Sequence, residues 1–257
     1  SQSYQDIIAK HNYPQGVRLL LGELMAATCL LTATLKFEGD ITVQLQGDGP
    51  IGYMAINGNH KQEMRGIAKL GQATTASGLK DLIGSGTMVI TIRPSQGEAY
   101  QGVTALDQDT LADCLGHYFK VSEQIPTKIW LFSDDEKQQV AGSLIQLLPD
   151  GDDKAQQQAD FEHLCQLTQT IKAEEIFDLP AETLLYRLYH QEKVNLFPSQ
   201  SVSYVCGCSE NKCISAIAQI DPNELSQIIT EEGHVAMTCD YCLTTYTFDQ
   251  QKLAPYL

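Results

Sequence analysis

Apolar residues recur every three to four positions from Val17 to about Leu35, with Leu20, Leu24, Ala27 and Leu31 on one stripe, and this spacing predicts a long helix. A shorter helix is expected over Ser3–Ala9, separated from the first by Pro14 and Gly16. From Lys36 the period changes to two. In "DITVQLQ" Ile41, Val43 and Leu45 alternate with polar residues, and "YMAI" follows the turn residues "GDGP", which together predict a hairpin. A second antiparallel pair is expected where β-rich runs flank "PSQGE". Thr110 and Asp113 are spaced as a capping box for the helix "DTLADCLGHYFK", and "KIWLF" and "AGSLIQLL" read as two more strands. A polar turn, "PDGDDK" (149–154), leads into a helix from about Ala155 to Lys172, on which Phe161, Leu164, Cys165 and Leu167 gather apolar surface. The first part of the chain is therefore expected to be α+β, an antiparallel sheet packed by helices.

The segment 178–198 has another character. In "DLPAETLLYRLYHQEK" Asp178 is placed as an N-cap, and the i,i+4 pairs Leu184/Leu188 and Leu185/Tyr189 put apolar residues on more than one side of a helix. Such a helix needs partners on two surfaces. Beyond Pro198 comes a cysteine-rich tail with two short helical patterns, "CISAIAQI" and "NELSQIIT".

Composition narrows the classes. The chain has 257 residues, 43% hydrophobic and 19% charged, which is globular composition. Its net charge of −15 repels nucleic acid and anionic membrane surfaces. The run Val17–Leu35 approaches membrane-spanning length but carries Arg18 and Glu23, so a buried helix is expected instead. With no secretory pattern at the start of the chain, the expected compartment is the cytoplasm, where eight cysteines imply a metal site, a redox device or small core residues rather than a disulfide frame.

Four of the eight cysteines stand out. Cys206 and Cys208 form a C-x-C pair, and Cys239 and Cys242 a C-x-x-C pair, and two such pairs complete tetrahedral S₄ coordination with bonds of about 2.3 Å, for which zinc is the favoured occupant. A bland staple of a tail too small to bury its own core would explain them fully. They also admit a second role, because a metal-held sulfur is deprotonated and open to oxidants. Cys213 and His234 are weaker candidates for the same ion, and Cys29, Cys114 and Cys165 sit in apolar helical patterns where thiols are inert core residues. From Cys206 to Leu257 there are seven acids against Lys212 and Lys252, the wrong charge for a nucleic-acid-binding zinc ribbon. "GDGPIG" (47–52) matches a dinucleotide fingerprint by letter but is followed by β-rich sequence, and reads as a turn between strands. No triphosphate-cradling motif occurs, and His117 and His163 read as satisfied residues of amphipathic helices.

Five features together carry a resemblance: "LLTATLKFEGDITVQLQGDGP" (30–50), "MRGIA" (64–68), "YQGV" (100–103), "LYRLYH" (185–190) and the C-x-C/C-x-x-C pairs. The chain resembles the heat-shock protein 33 family, redox-regulated bacterial holdase chaperones, over nearly its whole length. The resemblance implies three parts: an α+β substrate-binding core (1–176), a helical linker (177–200) and a small zinc-binding redox-switch domain (201–257). It implies one zinc ion on Cys206, Cys208, Cys239 and Cys242 in an inactive reduced state. It further implies that oxidation pairs Cys206 with Cys208 and Cys239 with Cys242, expels the metal, unfolds the linker, exposes surface for unfolding client proteins and produces a homodimer. Family members carry residues before the first helix, so the core is expected to be truncated at its N-terminus. The expected function is thus an ATP-independent binding protein, not an enzyme, with Leu184, Leu185, Leu188 and Tyr189 as client contacts. Rival readings are a thiol-disulfide oxidoreductase using "CDYC" and a constitutive zinc-stabilised adaptor.

Overall fold

The computed structural model describes residues 2–35, 38–148 and 153–256, so Lys36 and the first four residues of the expected polar turn lie outside it. Packing divides the chain into two compact units, Ser1–Tyr204 and Val205–Leu257.

In the first unit α1 (Gln2–Ile8) and α2 (Gln15–Ala33) precede a meander of β1 (Gly39–Gly47), β2 (Ile51–Asn59) and β3 (Glu63–Leu70). A short α3 (Leu79–Ile83) leads to the hairpin β4 (Gly86–Pro94) and β5 (Tyr100–Ala105). Then come α4 (Leu111–Tyr118), a second hairpin of β6 (Thr127–Asp134) and β7 (Gln139–Gln146), three helices α5 (Lys154–Thr168), α6 (Ala173–Asp178) and α7 (Ala181–Tyr189), and a two-residue strand β8 (Ser203–Tyr204). The larger sheet has the order β5-β4-β1-β2-β3-β8, antiparallel except for the β3–β8 pair, and β6–β7 forms a sheet of its own. The two expected hairpins, the capping of α4 by Thr110, which accepts from the Asp113 amide at 3.1 Å, and the turn at "GDGP" are all present. The strand β3 and the strand β8 are elements that the period-two reading does not contain.

Helix α2 touches β1, β2 and β3 of the large sheet and also β6 and β7. That double contact explains why its sequence is apolar over so much of its circumference: Leu20, Leu24, Ala27 and Leu31 are all buried, and so are Val17, Leu21, Met25 and Thr28. Each fully buried leucine there contributes roughly 1.5–3 kcal/mol relative to an exposed one. At Gly22 an added Cβ would lie 2.6 Å from both Ser133 Oγ and Val140 Cγ1, so glycine permits the close approach of α2 to the β6–β7 hairpin. Arg18, one of the two charges in the apolar run, is held by two bonds to Asp135, Nε–Oδ1 at 2.6 Å and Nη2–Oδ2 at 2.7 Å, and the pair keeps the Asp135 carboxyl below its ordinary range. The other charge, Glu23, is pushed up to about 7 by burial.

The helices after β7 are held more lightly. Asp153 caps α5, its Oδ1 accepting from the Ala155 and Gln156 amides. Asp178 is not the N-cap of α7: that position belongs to Pro180, and Asp178 instead closes α6 and pairs with Lys137 Nζ at 3.2 Å. The helix expected to run to Lys172 ends at Thr168, and α6 begins at Ala173. Helix α7 touches α5 and α6, yet Tyr189 is its single fully buried residue among those described, and its hydroxyl lies 2.5 Å from Thr168 Oγ1. Ser203 N donates to Gln62 O at 3.0 Å and Ser3 Oγ to Val202 O at 2.7 Å, which clips β8 to the edge of the large sheet.

Two outcomes follow from this packing. Because the folded pKa of Glu23 lies above its unfolded value, the folded state favours the protonated carboxyl, and stability is lost as pH rises from about 4.5 through about 7. Glu23→Gln is therefore expected to raise urea-unfolding stability over the native chain by roughly 1–3 kcal/mol at pH 8 and by little at pH 4; an equal effect at both pH values would contradict the burial argument. Thr168→Val leaves the buried Tyr189 hydroxyl without its partner at a cost of about 1–3 kcal/mol, and limited proteolysis should show faster cutting within α7 while α2 stays protected.

Candidate metal centre

The second unit holds α8 (Glu210–Ile217), α9 (Pro222–Glu232), the hairpin of β9 (His234–Thr238) and β10 (Thr245–Asp249), and α10 (Gln250–Leu253). Its fully buried apolar residues among those described are Ile217, Leu225, Ile229, Phe248 and Leu253, a small core for some fifty residues. The two helical patterns and the β-rich end expected from sequence are present. Asp221 caps α9 by accepting from the Asn223 amide, and Gly233 closes it at φ +77°.

The two cysteine pairs sit at the ends of these elements. Cys206 and Cys208 flank Gly207, whose φ of +66° lets the chain turn tightly ahead of α8, and Lys212 Nζ donates to the Gly207 carbonyl at 2.6 Å. Ser209 then caps α8, accepting from the Lys212 amide at 3.3 Å. "CDYC" forms the β9–β10 turn: the Leu243 amide donates to Cys239 O at 2.8 Å and the Cys239 amide to Thr244 O at 2.9 Å. This is a hairpin loop, not the strand-to-helix corner at which a thioredoxin-type C-x-x-C acts.

The loops bring Cys206, Cys208, Cys239 and Cys242 together, all four Sγ atoms within 4.8 Å of one another. The closest pairs cross between the loops, Cys206–Cys239 at 3.5 Å and Cys208–Cys242 at 3.4 Å. A regular tetrahedron with metal–sulfur bonds of about 2.3 Å has edges near 3.8 Å, so four thiols at these separations fit a closed S₄ site. The chain thus positions four cysteines to bind a metal ion. Cys213 packs against the apolar cluster and His234 is exposed with Nδ1 3.1 Å from Glu232 O, so neither joins the set.

The sulfurs are not equivalent. Burial and the surrounding thiols push Cys206 up to about 12. Burial also raises Cys242, but the Thr244 hydroxyl and amide and the neighbouring thiols outweigh it and bring that thiol down to about 6. Elsewhere burial pushes Cys29 up to about 12 and raises Cys114 and Cys165, which keeps these three protonated and unreactive. Thr244 and Tyr246, whose hydroxyls lie 3.3 Å from Cys242 Sγ and 3.2 Å from Cys208 Sγ, are contacts the sequence reading does not contain. Their only signal there is proximity to the second cysteine pair.

The family model described as "Hsp33 protein" matches residues 1–249. The chain belongs to the Hsp33 family. Among its Hsp33 relatives, a protein of Colwellia psychrerythraea named "33 kDa chaperonin" is 67% identical over 261 residues, covering 100% of this chain and 90% of the relative. One of Shewanella oneidensis with the same name is 53% identical over 253 residues, covering 98% and 87%. The crystal structure of the 33 kDa chaperonin, the Hsp33 homologue of Thermotoga maritima, superimposes with a TM-score of 0.82 at 21% identity, covering 99% of this chain and 90% of that one, and shows that the fold is shared.

The four residues expected from the sequence to meet clients lie on α7: Leu184, Leu185 and Leu188 are half-buried and Tyr189 is buried. More exposed apolar surface is found nearby at Tyr186, 72% accessible, and Phe197, 82% accessible.

Metal ligation requires thiolates, so binding releases protons and competes with them. Cobalt titration followed by thiolate-to-metal charge-transfer absorption should show one ion per chain and weaker apparent affinity at pH 6 than at pH 8; pH-independent affinity would speak against thiolate ligation.

Proposed function

We propose that this protein is an ATP-independent, redox-regulated holdase whose switch is the Cys206, Cys208, Cys239 and Cys242 cluster, loaded with one zinc ion when reduced. The observation that carries the reading is the convergence of those four thiols, from two loops, in a unit with little core of its own. Zinc bound there would hold the sulfurs as thiolates and add a cross-link on the order of 10 kcal/mol to the folding of the unit. Membership in a family whose relatives are named chaperonins supports the client-binding half of the reading.

Oxidation removes the donor set. A thiolate attacks one oxygen of peroxide, forming the sulfenic acid and releasing hydroxide, and a second thiolate displaces hydroxide from that sulfur to give the disulfide; two electrons pass from two sulfurs to peroxide. The pairing decides the outcome. Cross-loop disulfides, Cys206–Cys239 and Cys208–Cys242, would tie the loops covalently and replace one staple by another. Pairing within each motif, Cys206–Cys208 and Cys239–Cys242, leaves the loops untied, and only this pairing converts oxidation into unfolding.

The linker is built to follow. Strand β8 ends one residue before Val205 and two before Cys206, so unfolding there reaches the clip on β3 directly through the chain. The segment 197–202 also lines a groove of about 590 Å³ in the first unit, with Met25, Leu30 and Val140 on the core side and Phe197 and Val202 on the linker side. Departure of that segment bares apolar surface for the extended, hydrophobic stretches of an unfolding client, together with Leu184, Leu185, Leu188 and Tyr189. The protein acts by binding, in the reducing cytoplasm where its cysteines are kept reduced and can hold the metal, and the oxidised form pairs as a homodimer.

Light scattering of heat-denatured citrate synthase tests this. The reduced, zinc-loaded chain should give little protection and the peroxide-treated chain strong protection near stoichiometric amounts, with zinc appearing on a chelator over the same time course. Equal protection by both forms would favour a constitutive adaptor, and cross-loop disulfides in a peptide map would contradict the switch.

A further inference from the structure

Alternation along β10 turns Tyr246 and Phe248 to the same side. Phe248 is fully buried, and the Tyr246 ring packs against the same cluster of Ile217, Leu225 and Ile229. This fixes the direction of the ring and carries its hydroxyl to 3.2 Å from Cys208 Sγ, a sulfur that belongs to the other loop, 38 residues earlier in the chain. Two residues before it, the Thr244 hydroxyl stands 3.3 Å from Cys242 Sγ. The end of the hairpin loop and the start of β10 thus place side-chain hydroxyls beside two sulfurs, and those sulfurs are themselves 3.4 Å apart.

The direction of the Tyr246 bond follows from chemistry. A metal-bound sulfur carries no proton, so in the loaded cluster the tyrosine hydroxyl must donate and the sulfur accept. A hydrogen bond to an anionic acceptor is short and strong, and it draws electron density from the atom that accepts it. Four thiolates on a divalent ion leave two net negative charges in a tail with seven acids and two lysines, so density on each sulfur is high. Thiolate attack on an electrophilic oxygen slows as basicity falls. We propose that Tyr246 is a positioning residue that, through this donation, tightens metal binding and sets how much oxidant the cluster withstands before Cys208 reacts; this role rests on the redox-switch reading given above. The arrangement lets a single hydroxyl restrain the sensor without touching the metal or entering either disulfide.

The test is Tyr246→Phe in the full chain, which keeps the ring in the cluster and removes only the hydroxyl. In the cobalt-loaded variant the thiolate-to-metal charge-transfer band should move to lower energy, because an undonated sulfur gives up its electron more readily. Metal affinity should fall roughly 10-fold, the lower end of what loss of a ligand's hydrogen-bond partner costs. Peroxide-driven thiol loss should accelerate several-fold. Ile229→Val, which loosens the same core without altering any donor, should leave the band where it is. A band unmoved in Tyr246→Phe, with oxidation within twofold of the native rate, overturns the proposal. Should the variant fail to load cobalt, the native chain loaded with cadmium-113 decides: a slowly exchanging Tyr246 hydroxyl proton with scalar coupling to cadmium upholds the bond, and a freely exchanging, uncoupled proton overturns it. These spectroscopic readouts are independent of client holding. A shifted band in a protein whose holding ignores peroxide would therefore sink the redox-holdase reading and leave the hydrogen bond standing.

Discussion

Four sulfurs meet at one point in the second unit, and most of what is distinctive in that unit follows from this constraint. Among the described residues the unit fully buries Ile217, Leu225, Ile229, Phe248 and Leu253, a small core against the conformational entropy of ordering some fifty residues. Gly207 at positive φ, the Lys212 contact to its carbonyl and the β9–β10 turn all serve to bring the thiols within 4.8 Å. On the proposed reading, a metal held at that point concentrates the unit's stability where a single chemical event can remove it.

The first unit shows a gradient that gives such an event a direction. Helix α2 lies between two sheets with a dozen described residues buried, whereas α7 fully buries one and depends on the Thr168–Tyr189 contact and the half-exposed Lys137–Asp178 and Arg187–Glu175 pairs around α6. Exposed ion pairs of that kind are worth little. A nine-residue helix has no independent stability in water, and two-residue β8 has less. The segment joining the core to the sulfur cluster is thus the part of the first unit that local unfolding reaches most cheaply.

How much of this is legible in the sequence depends on whether the deciding interaction is local. The α2 stripe, the β1–β2 and β4–β5 hairpins and the cysteine pairs are written in short-range periodicity and spacing, and the structure has them. Strand β3 escapes because "EMRGIAKL" carries charges at Glu63, Arg65 and Lys69 and lacks clean apolar–polar alternation; pairing with β2 and cover from α1 make it a strand. Asp178 is ambiguous locally, since the last residue of one helix and the cap of the next look alike; it ends α6, and the cap of α7 falls two residues later on Pro180. Strand β8 exists only because Gln62 and Glu63–Met64 offer it an edge. The cluster itself was readable from thiol spacing, but the hydroxyls of Thr244 and Tyr246 become partners of particular sulfurs only once the hairpin has folded.

The central claim is that losing the sulfur cluster's hold releases the linker while the core stays folded. Hydrogen exchange read by mass spectrometry, on the zinc-loaded chain before and after peroxide, tests it most directly. The account predicts that amides of 181–204 and 205–257 lose protection together while those of α2 and β1–β4 keep theirs. Protection in α7 that survives after the cysteine-bearing unit has unfolded would contradict it.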